Sequence, residues 1–369
     1  MSAADFEAAK ALFLEGLAEL QAGRHALAEQ RFMASLDLLP GRISTLVNLA
    51  ATRLALGRPQ DSLATADAVL ALEPDNVDAW FHRANALAEL DRHAQALVAF
   101  QTVCRIEPRH AQAWSQAGSM LRESGRPDEA AHAFEQAIAH GADADLHRYY
   151  LAAVRGTAVP PSAPARYVQG LFDAYAGEFD THLVEVLGYS AHRTVVELLP
   201  PLQRWRSALD LGCGTGMCGA LLVGRVDRLV GVDLSAGMLD KARATGLYTK
   251  LVQADLALHL RATDERHDLV LAADVFIYVG ALEPVFEQVA RVLDAGGLFC
   301  FSAERPSDEA RDIELAPSLR YAHSARYLDG LAQAHGFVVE RALERAIREE
   351  QRRPIPGRFV RLRRAVAAR

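Results

Sequence analysis

The chain has 369 residues, of which 50% are hydrophobic and 24% charged, so we expect a globular protein of about two domains. Its net charge of −7 disfavours tight binding to the polyanionic backbone of nucleic acid. The opening MSAADFEAAK lacks the basic start of a signal peptide, and no apolar run approaches the ~20 residues of a membrane span. The four cysteines form no CxxC pair, so we predict a cytoplasmic protein without a metal site.

The first predicted elements are paired helices that recur with a period of 34 residues. Pro40, Pro74 and Pro108 mark this period, and each follows a stretch typical of a helix end, because proline cannot continue a helix. Four further positions recur in register: a small residue (Gly16, Ala50, Ala84, Gly118), a second small residue (Ala28, Ser62, Ala96, Ala130), a residue that is mostly aromatic (Phe32, Ala66, Phe100, Phe134) and a large residue (Leu12, Leu46, Trp80, Trp114).

This pattern resembles the tetratricopeptide repeat over about residues 8–142, with Ala66 and Ala142 as departures from it. The resemblance implies an all-α solenoid of about four repeats in residues 1–156, and DADLHRYYLAAVRG predicts a helix that caps the stack. It also implies that the concave face binds a protein or peptide, although a role in assembly alone remains open. Residues 1–156 hold 14 Lys and Arg against 20 Asp and Glu, which favours a basic partner weakly.

A stretch rich in proline, alanine and serine, GTAVPPSAPAR, predicts a linker at residues 157–166. Residues 167–369 then alternate short apolar strands with helices, starting with the strands in SALDLGC, RLVGVDLS and YTKLVQADL. Such alternation predicts an α/β doubly wound, Rossmann-like sheet. In that architecture ligands bind beyond the carboxyl ends of the strands.

The first strand of this region runs into a glycine turn in ALDLGCGTGMCGALL. Its glycines are Gly212, Gly214 and Gly216, whereas dinucleotide-binding folds use the spacing G-x-G-x-x-G. Asp210, two residues before the turn, would repel a pyrophosphate and suits a ligand that carries an amine and a sulfonium cation. S-adenosylmethionine is such a ligand, and the glycines would let the backbone approach it where a Cβ would clash.

Acidic residues at the ends of the next two strands agree with this ligand. Asp233 ends the second strand, where it can accept hydrogen bonds from both ribose hydroxyls. Asp255 and Leu256 follow the third strand, where the carboxylate can bind the adenine amino group and the backbone N–H a ring nitrogen.

These stretches, with HDLVLAADVFIYVGAL and VLDAGGLFCFSAE, resemble the motifs of class I S-adenosylmethionine-dependent methyltransferases over about residues 195–305. With the repeats, the chain resembles bacterial tetratricopeptide-containing methyltransferases. The resemblance implies a seven-stranded sheet with an antiparallel last strand, for which the C-terminal residues predict a closing hairpin with its turn at RRPIPG. It implies S-adenosylmethionine as cofactor, with further contacts from Cys213, Leu234, Met238, Asp274 and Tyr175.

The same resemblance implies a helical lid before the core, which YVQGLFDAYAGEFDTHLVEVL can supply. Tyr175 and Phe179 are spaced i, i+4 and so share one face of the predicted helix. In this interpretation they fold over the methionine end of the cofactor, although burial in the core explains the same pattern.

The catalytic candidates lie after the fourth and fifth strands. The Asn-Pro-Pro-Tyr tetrad of enzymes that methylate adenine amines and glutamine amides is absent from AADVFIYVG, which argues against both acceptors. Tyr278 is a candidate acceptor contact, with a packing role as the alternative. Tyr321 and His323 precede a predicted helix, and His323 is the best candidate base, with a structural hydrogen bond as the alternative.

The sequence therefore predicts methyl transfer to an oxygen or nitrogen acceptor, with repeats that recruit a protein partner or substrate. One alternative is a small-molecule methyltransferase whose repeats serve assembly, and another is a cofactor-binding interaction protein without turnover. Asp210 disfavours a nucleotide-dependent oxidoreductase. Neither the acceptor nor the oligomeric state follows from the sequence.

Overall fold

The computed structural model describes residues 3–175, 188–350 and 353–366, and the chain divides into two compact units, Met1–Arg155 and Gly156–Arg369. The side chain of Tyr175 and residues 176–187, which include Phe179 and most of the predicted lid, lie outside this description. None of the described helices combines the length and the apolar composition that a membrane crossing requires.

The first unit is a stack of helices that pack in pairs along the chain, as the repeat pattern predicts. Its described helices are α1 (Ala3–Gln21), α2 (His25–Leu38), α3 (Ile43–Ala55), α4 (Pro59–Leu72), α5 (Val77–Glu89), α6 (His93–Ile106), α7 (Ala111–Glu123), α8 (Pro127–Ala139) and α9 (Ala144–Arg155). Helices α2, α4 and α6 each end two residues before a repeat proline, and α9 packs on α8 as the predicted capping helix.

The small and aromatic repeat positions meet inside each helix pair. A Cβ built at Gly16 would lie 2.5 Å from Cε1 of Phe32, and one built at Gly118 would lie 2.6 Å from Cδ1 of Phe134. The ring of the second helix therefore occupies the space that a side chain on the first helix would need. In the second repeat, Ala66 replaces the ring and is itself fully buried.

The second unit is an α/β domain around one sheet. Its described strands are β1 (Trp205–Leu211), β2 (Val226–Asp233), β3 (Lys250–Gln253), β4 (His267–Ala272), β5 (Leu293–Glu304), β6 (Ile313–Leu315), β7 (Tyr321–His323), β8 (Phe337–Glu350) and β9 (Arg353–Arg364). Its described helices are α10 (Ala165–Tyr175), α11 (Ala191–Glu197), α12 (Met217–Leu221), α13 (Ala236–Ala244), α14 (Leu256–Ala262), α15 (Glu283–Val292) and α16 (Ala325–Ala334).

Seven of these strands form the predicted sheet in the order β3-β2-β1-β4-β5-β9-β8. Neighbours from β3 to β5 pair in parallel, whereas β9 runs antiparallel to both β5 and β8. The short hairpin β6–β7 adds to the carboxyl end of β5 through the pair Glu304–Ala322. The doubly wound fold expected from the sequence is confirmed, with this hairpin as an addition.

The turn of the C-terminal hairpin differs from the prediction at RRPIPG. Strands β8 and β9 stay paired as far as Glu350 and Arg353, so Pro354 and Pro356 lie inside β9. Strand β9 pairs with β5 only from Gly357 onward, so both prolines lie where β9 has no second partner strand. Proline lacks an N–H and is tolerated at such an edge, so here it does not mark a turn.

The predicted linker at 157–166 belongs to the second unit and packs on it. The backbone N–H groups of Gly280 and Ala281 donate to the carbonyl oxygen of Pro161 at 2.9 and 2.8 Å, and the N–H of Ala163 donates to the carbonyl of Tyr278 at 3.0 Å. We call residues 160–163 the strap. The sequence does not predict the strap because proline-rich composition is also typical of free linkers.

Candidate active site

A cavity of about 400 Å³ lies in the second unit, at the carboxyl ends of the parallel strands. Its walls are the glycine turn after β1, the end of β2 and the segments that follow β3 and β4. The strap and α10 contribute Ser162, Ala163, Val168 and Phe172 to the opposite side. These elements place the cavity where a doubly wound sheet binds its ligands.

Backbone geometry requires glycine at all three positions of the turn, and close neighbours require it at two of them. Gly212, Gly214 and Gly216 have φ of 62°, 53° and 96°, values that side chains rarely tolerate. A Cβ on Gly212 would meet Cγ2 of Val275 at 2.5 Å, and one on Gly216 would meet Cε2 of Tyr248 at 3.1 Å. At Gly214 a Cβ would meet no protein atom within 4 Å, so of the three this glycine leaves space for a ligand.

Asp210 does not take the place expected from the sequence, because it lies under the turn and is absent from the described cavity wall. The Tyr248 hydroxyl donates to its Oδ2 at 2.7 Å. Burial raises the pKa of Asp210 to about 7, although the bond from Tyr248 opposes this shift. Asp210 therefore does not contact a ligand in the cavity, and the predicted repulsion of a pyrophosphate by direct contact is not supported. Its carboxylate instead holds the Tyr248 side chain beneath the glycines.

Asp233 lines the cavity where the prediction places it. The Gly214 N–H donates to Oδ2 and the Ser235 N–H to Oδ1, each at 2.9 Å, which fixes the carboxylate across the turn. Burial raises the pKa of Asp233, while these backbone N–H groups counter the shift. A carboxylate has about four acceptor positions, so two remain for ligand hydroxyls.

The end of β3 supplies the next part of the wall. Asp255 caps α14, because its Oδ1 accepts from the backbone N–H groups of Ala257 and Leu258 at 2.9 and 3.0 Å. It lines the cavity together with Leu256, Leu234 and Met238, all predicted cofactor contacts. Their apolar side chains beside a fixed carboxylate form a slot suited to a flat heteroaromatic group with an amino substituent.

Sequence reasoning missed Asp173 on α10. The Ser235 hydroxyl donates to its Oδ1 at 2.5 Å, and the Gly237 N–H donates to the same oxygen at 3.3 Å. These bonds join α10 to the first turn of α13, directly after Asp233. The i, i+4 aromatic pattern of the predicted lid carried no signal for this contact.

The far end of the cavity is built around Asp274, the residue that follows Ala273 after β4. Asp274 has φ of 58°, an uncommon backbone conformation for a residue other than glycine, and its N–H donates to the Ser302 hydroxyl at 2.8 Å. Such strain persists only where neighbouring groups hold it, and it concentrates at functional sites. Asp274 lines the cavity as predicted.

Asp274 belongs to a group of five charged residues that we call the ionic cluster: Asp274, Glu304, Arg320, Arg348 and Glu350. Of these, Asp274, Arg320 and Arg348 line the cavity. Arg348 Nη1 lies 3.2 Å from Asp274 Oδ2 and its Nε lies 2.8 Å from Glu350 Oε1, while Nη2 contacts Glu304. The Arg348 side chain is 3% exposed, and Arg320 pairs with Glu350. Burial raises the pKa of Glu304, whereas the carboxylates around Arg348 outweigh burial and raise the pKa of its guanidinium.

Tyr278 lines the same end of the cavity. Its ring meets Phe172 edge to face at a centroid distance of 5.5 Å. Burial raises the pKa of Tyr278 to about 12, so the side chain is a neutral phenol that can donate a hydrogen bond.

The structure does not bring Tyr321 and His323 to the cavity wall. The Tyr321 hydroxyl donates to the carbonyl of Pro160 at 2.9 Å and so fastens the strap. His323 is fully buried, and its Nε2 lies 2.9 Å from the carbonyl oxygen of Gly280. Burial lowers the pKa of His323 to about 4, and the geometry therefore favours the structural alternative over the predicted base.

Comparison with known proteins divides the chain in the same way. A family of methyltransferase domains matches residues 208–297, and a tetratricopeptide-repeat family matches residues 47–111 and 115–155. The first match contains the glycine turn, Asp233, Asp255 and Asp274, and the second lies within the first unit. Both resemblances drawn from the sequence are confirmed.

Two relatives are methyltransferases. The malonyl-[acyl-carrier protein] O-methyltransferase of Legionella pneumophila is 35% identical over 132 residues, which cover 34% of this chain and 45% of that protein. The trans-aconitate 2-methyltransferase of Rhizobium rhizogenes is 39% identical over 100 residues, which cover 27% of this chain and 38% of that protein. The chain thus spans less than half the length of these curated relatives.

Among solved structures, the N-methyltransferase NodS of Bradyrhizobium japonicum, in complex with S-adenosylhomocysteine, resembles 53% of this chain with a TM-score of 0.43. The similarity covers 98% of that protein at 15% sequence identity.

Proposed function

We propose that this chain, which carries a class I S-adenosylmethionine-dependent methyltransferase domain behind tetratricopeptide repeats, transfers a methyl group to an oxygen or nitrogen acceptor held in the cavity. The observation that carries the proposal is the wall formed by Gly214, Asp233 and Asp255 at the ends of three adjacent strands. One residue of this wall leaves space at the backbone and two present fixed carboxylates.

The residues of this wall fit S-adenosylmethionine. A Cβ at Gly214 would occupy the space that the ligand needs, and the acceptor positions left on Asp233 match the two ribose hydroxyls. The slot beside Asp255 is apolar and suits an adenine. Two carboxylates on the cavity wall disfavour a diphosphate, so the preference argued from Asp210 belongs to Asp233 and Asp255.

The chain's own contribution to methyl transfer is alignment and exclusion of water. When bound, the cofactor supplies an electron-poor methyl group on a sulfonium sulfur. Holding an acceptor in line with that group removes most of the entropic cost of the encounter. The strap and Phe172 cover the cavity, Tyr278 can donate a hydrogen bond to the acceptor, and the Asp274 carboxylate can accept one.

The repeats bind a protein or peptide in this proposal, and that partner is either the acceptor or the protein that delivers it. The match to tetratricopeptide repeats supports a docking role, because such solenoids present extended concave surfaces. A small-molecule acceptor with repeats that serve assembly remains the second candidate.

Titration calorimetry with S-adenosylhomocysteine tests the cofactor assignment. Asp233→Ala removes an acceptor of two ligand hydrogen bonds and is expected to weaken binding by about 100-fold or more, since each hydrogen bond to a charged group contributes ~1.5–3 kcal/mol. Asp227→Ala is the matched control, because Asp227 lies on the same strand and its side chain is 65% exposed. Equal affinity for Asp233→Ala and the wild type would contradict the assignment.

A further inference from the structure

The acceptor end of the cavity wall carries more positive than negative charge among the described residues. The guanidinium groups of Arg320 and Arg348 line it beside the carboxylate of Asp274. Glu304 and Glu350 contact these arginines from outside the described wall. We propose that the methyl acceptor is a carboxylate, which Arg320 and Arg348 bind. This inference rests on the proposed function, because it names the substrate class of the same site.

The short hairpin β6–β7 presents Arg320 to the cavity. Arg320 directly precedes β7, and its carbonyl oxygen accepts from the Ala316 N–H at 2.9 Å. The neighbouring Leu319 has φ of 64°, an uncommon conformation for a residue with a side chain, and its N–H donates to the Ala316 carbonyl at 2.9 Å. Strained turns of this kind persist where their surroundings hold them, and they concentrate at functional sites. The hairpin that was not expected from the sequence therefore gives the cavity a positive charge.

A β-bulge brings Arg348 to the same end of the cavity. The pairing of β8 with β9 shifts register between Ala346 and Arg348. At this bulge Ile347 packs in the core, while Arg348 reaches the cavity wall. Bulges redirect side chains and occur often next to active sites, so this one accounts for a buried guanidinium near the end of an otherwise exposed strand.

Both arginines keep N–H donors for a ligand. Arg348 contacts one carboxylate through each of Nε, Nη1 and Nη2, and a guanidinium has more N–H groups than these contacts use. Arg320 contacts Glu350 through Nη1. The charge of Asp274 is offset by Arg348, whose Nη1 lies 3.2 Å from Asp274 Oδ2, and burial raises the pKa of Glu304, which favours its neutral form. A carboxylate acceptor can therefore form charge-assisted hydrogen bonds here without displacing a partner within the chain.

The neighbouring wall suits an acid with an apolar substituent. Burial raises the pKa of Tyr278 to about 12, although the charge of Arg320 and a side-chain hydrogen bond from it oppose this shift. Because the guanidinium donates in that bond, the hydroxyl proton of Tyr278 is available to a carboxylate oxygen. The ring of Phe172 meets Tyr278 edge to face and lines the cavity, where it can pack against hydrocarbon.

Methyl transfer to a carboxylate balances without a base. One carboxylate oxygen forms the O–CH₃ bond while the S–CH₃ bond breaks and its electron pair stays on sulfur. The negative charge of the acid and the positive charge of the sulfonium cancel, so no proton is released or taken up. The position of His323 agrees with such a reaction, because this candidate base is absent from the described cavity wall.

Two probes of similar shape and different charge test the inference on the full-length protein. The protein is saturated with S-adenosylhomocysteine and titrated calorimetrically with benzoate and, separately, with the neutral benzamide. We expect benzoate to bind at least tenfold more tightly than benzamide. Equal affinities, tighter binding of benzamide or no detectable binding of benzoate overturn the inference. If S-adenosylhomocysteine itself does not bind, the proposed function fails and this inference fails with it.

The methionine portion of the cofactor also ends in a carboxylate, and a second titration distinguishes the two sources. Both arginines lie outside residues 208–297, which contain the glycine turn, Asp233 and Asp255, and this separation favours the acceptor as their ligand. Methylthioadenosine lacks the amino acid portion and replaces S-adenosylhomocysteine in this arm. We expect benzoate to bind the methylthioadenosine complex no more than about threefold more tightly. A larger gain would show that the arginines hold the carboxylate of the cofactor, which overturns the inference.

A variant assigns the preference to its residue. Arg320→Gln, saturated at a concentration set by its own affinity for S-adenosylhomocysteine, is expected to lose at least tenfold in benzoate affinity. The control Arg326→Gln, on α16 and 68% exposed, keeps the wild-type affinity. An unchanged benzoate affinity in Arg320→Gln overturns the role of Arg320. The wild-type comparison needs no variant, so a folding defect in Arg320→Gln leaves the inference testable.

Discussion

At the residue scale, the buried pair of Asp210 and Tyr248 beneath the glycine turn makes the stability of the protein depend on pH. Burial raises the pKa of Asp210 to about 7, whereas the unfolded chain has the ordinary value near 3.9. Between about pH 4 and 7 the folded state therefore binds more protons than the unfolded state. The free energy of unfolding falls as the pH rises through this window, and the full penalty is present above pH 7.

The variant Asp210→Asn removes this titration. The wild type pays the cost of ionising Asp210 at pH 8 and not at pH 5, so the variant should gain stability relative to the wild type as the pH rises. We expect the free energy of unfolding of the variant minus that of the wild type to be larger at pH 8 than at pH 5, by an amount on the order of 1–4 kcal/mol. Urea denaturation at the two pH values measures the difference, with the exposed Asp227→Asn as control. A difference that is the same at both pH values would contradict the buried ionisation of Asp210.

Alanine substitutions at Gly214 and Gly224 distinguish the cost of backbone strain from the loss of space for a ligand. Both have positive φ, 53° and 73°, and a Cβ at either position would meet no protein atom within 4 Å. Each change to alanine is expected to cost about 1–2 kcal/mol of stability, because side chains disfavour this conformation. Only Gly214→Ala should also lose affinity for S-adenosylhomocysteine, by about tenfold or more, as only Gly214 lines the cavity. Equal affinities in the two variants would show that strain alone matters.

Site residues that directly follow a predicted strand could be identified from the sequence, whereas contacts between residues far apart in the chain could not. Asp233 and Asp255 follow directly from strand ends, and the structure places both on the cavity wall. The neighbours of the turn, Val275 and Tyr248, come from distant segments, and no local pattern places them there. His323 shows the same limit, since burial and not residue type lowers its pKa.

At the element scale, the C-terminal hairpin contributes Arg348 of β8 to the ionic cluster around Asp274, and this contact stabilises the fold there. Arg348→Met leaves three carboxylates around an apolar side chain and is expected to destabilise the protein by about 3–5 kcal/mol. The control Arg345→Met, on the same strand but 53% exposed, should cost less than about 1 kcal/mol. Urea denaturation compares them, and similar losses would contradict the role assigned to the ionic cluster.

The order of strands and helices was predictable from apolar periodicity, whereas the strap and the hairpin turn were not. Prolines occur in free linkers, in turns and at unpaired strand edges alike. At Pro160 and Pro161 the contacts to Tyr321, Gly280 and Ala281 decide the outcome, and these come from more than 100 residues away. The composition of the segment does not predict contacts with residues so far away in the chain.

At the scale of the whole molecule, the proposed cofactor site and the repeats proposed to bind a partner lie in different units. Every described residue of the cavity wall lies in Gly156–Arg369. A chain that starts at residue 156 is therefore expected to bind S-adenosylhomocysteine with an affinity within about threefold of the full-length protein. A tenfold or greater loss of affinity for S-adenosylhomocysteine would show that the first unit contributes to cofactor binding, which contradicts this assignment.

The same truncation tests the proposed role of the repeats. Methylation of a physiological protein acceptor should fall strongly when residues 1–155 are removed, because the repeats no longer bind the partner. Turnover that survives the deletion unchanged would favour the second candidate, a small-molecule acceptor.

A crystal structure of the full-length protein with S-adenosylhomocysteine shows whether the cofactor occupies the cavity as proposed. We expect the ribose hydroxyls within hydrogen-bond distance of Asp233, the adenine in the slot beside Asp255 and Leu256, and the methionine portion over Gly214. Density for the ligand elsewhere, or a turn that binds a phosphorylated nucleotide in its place, would contradict it.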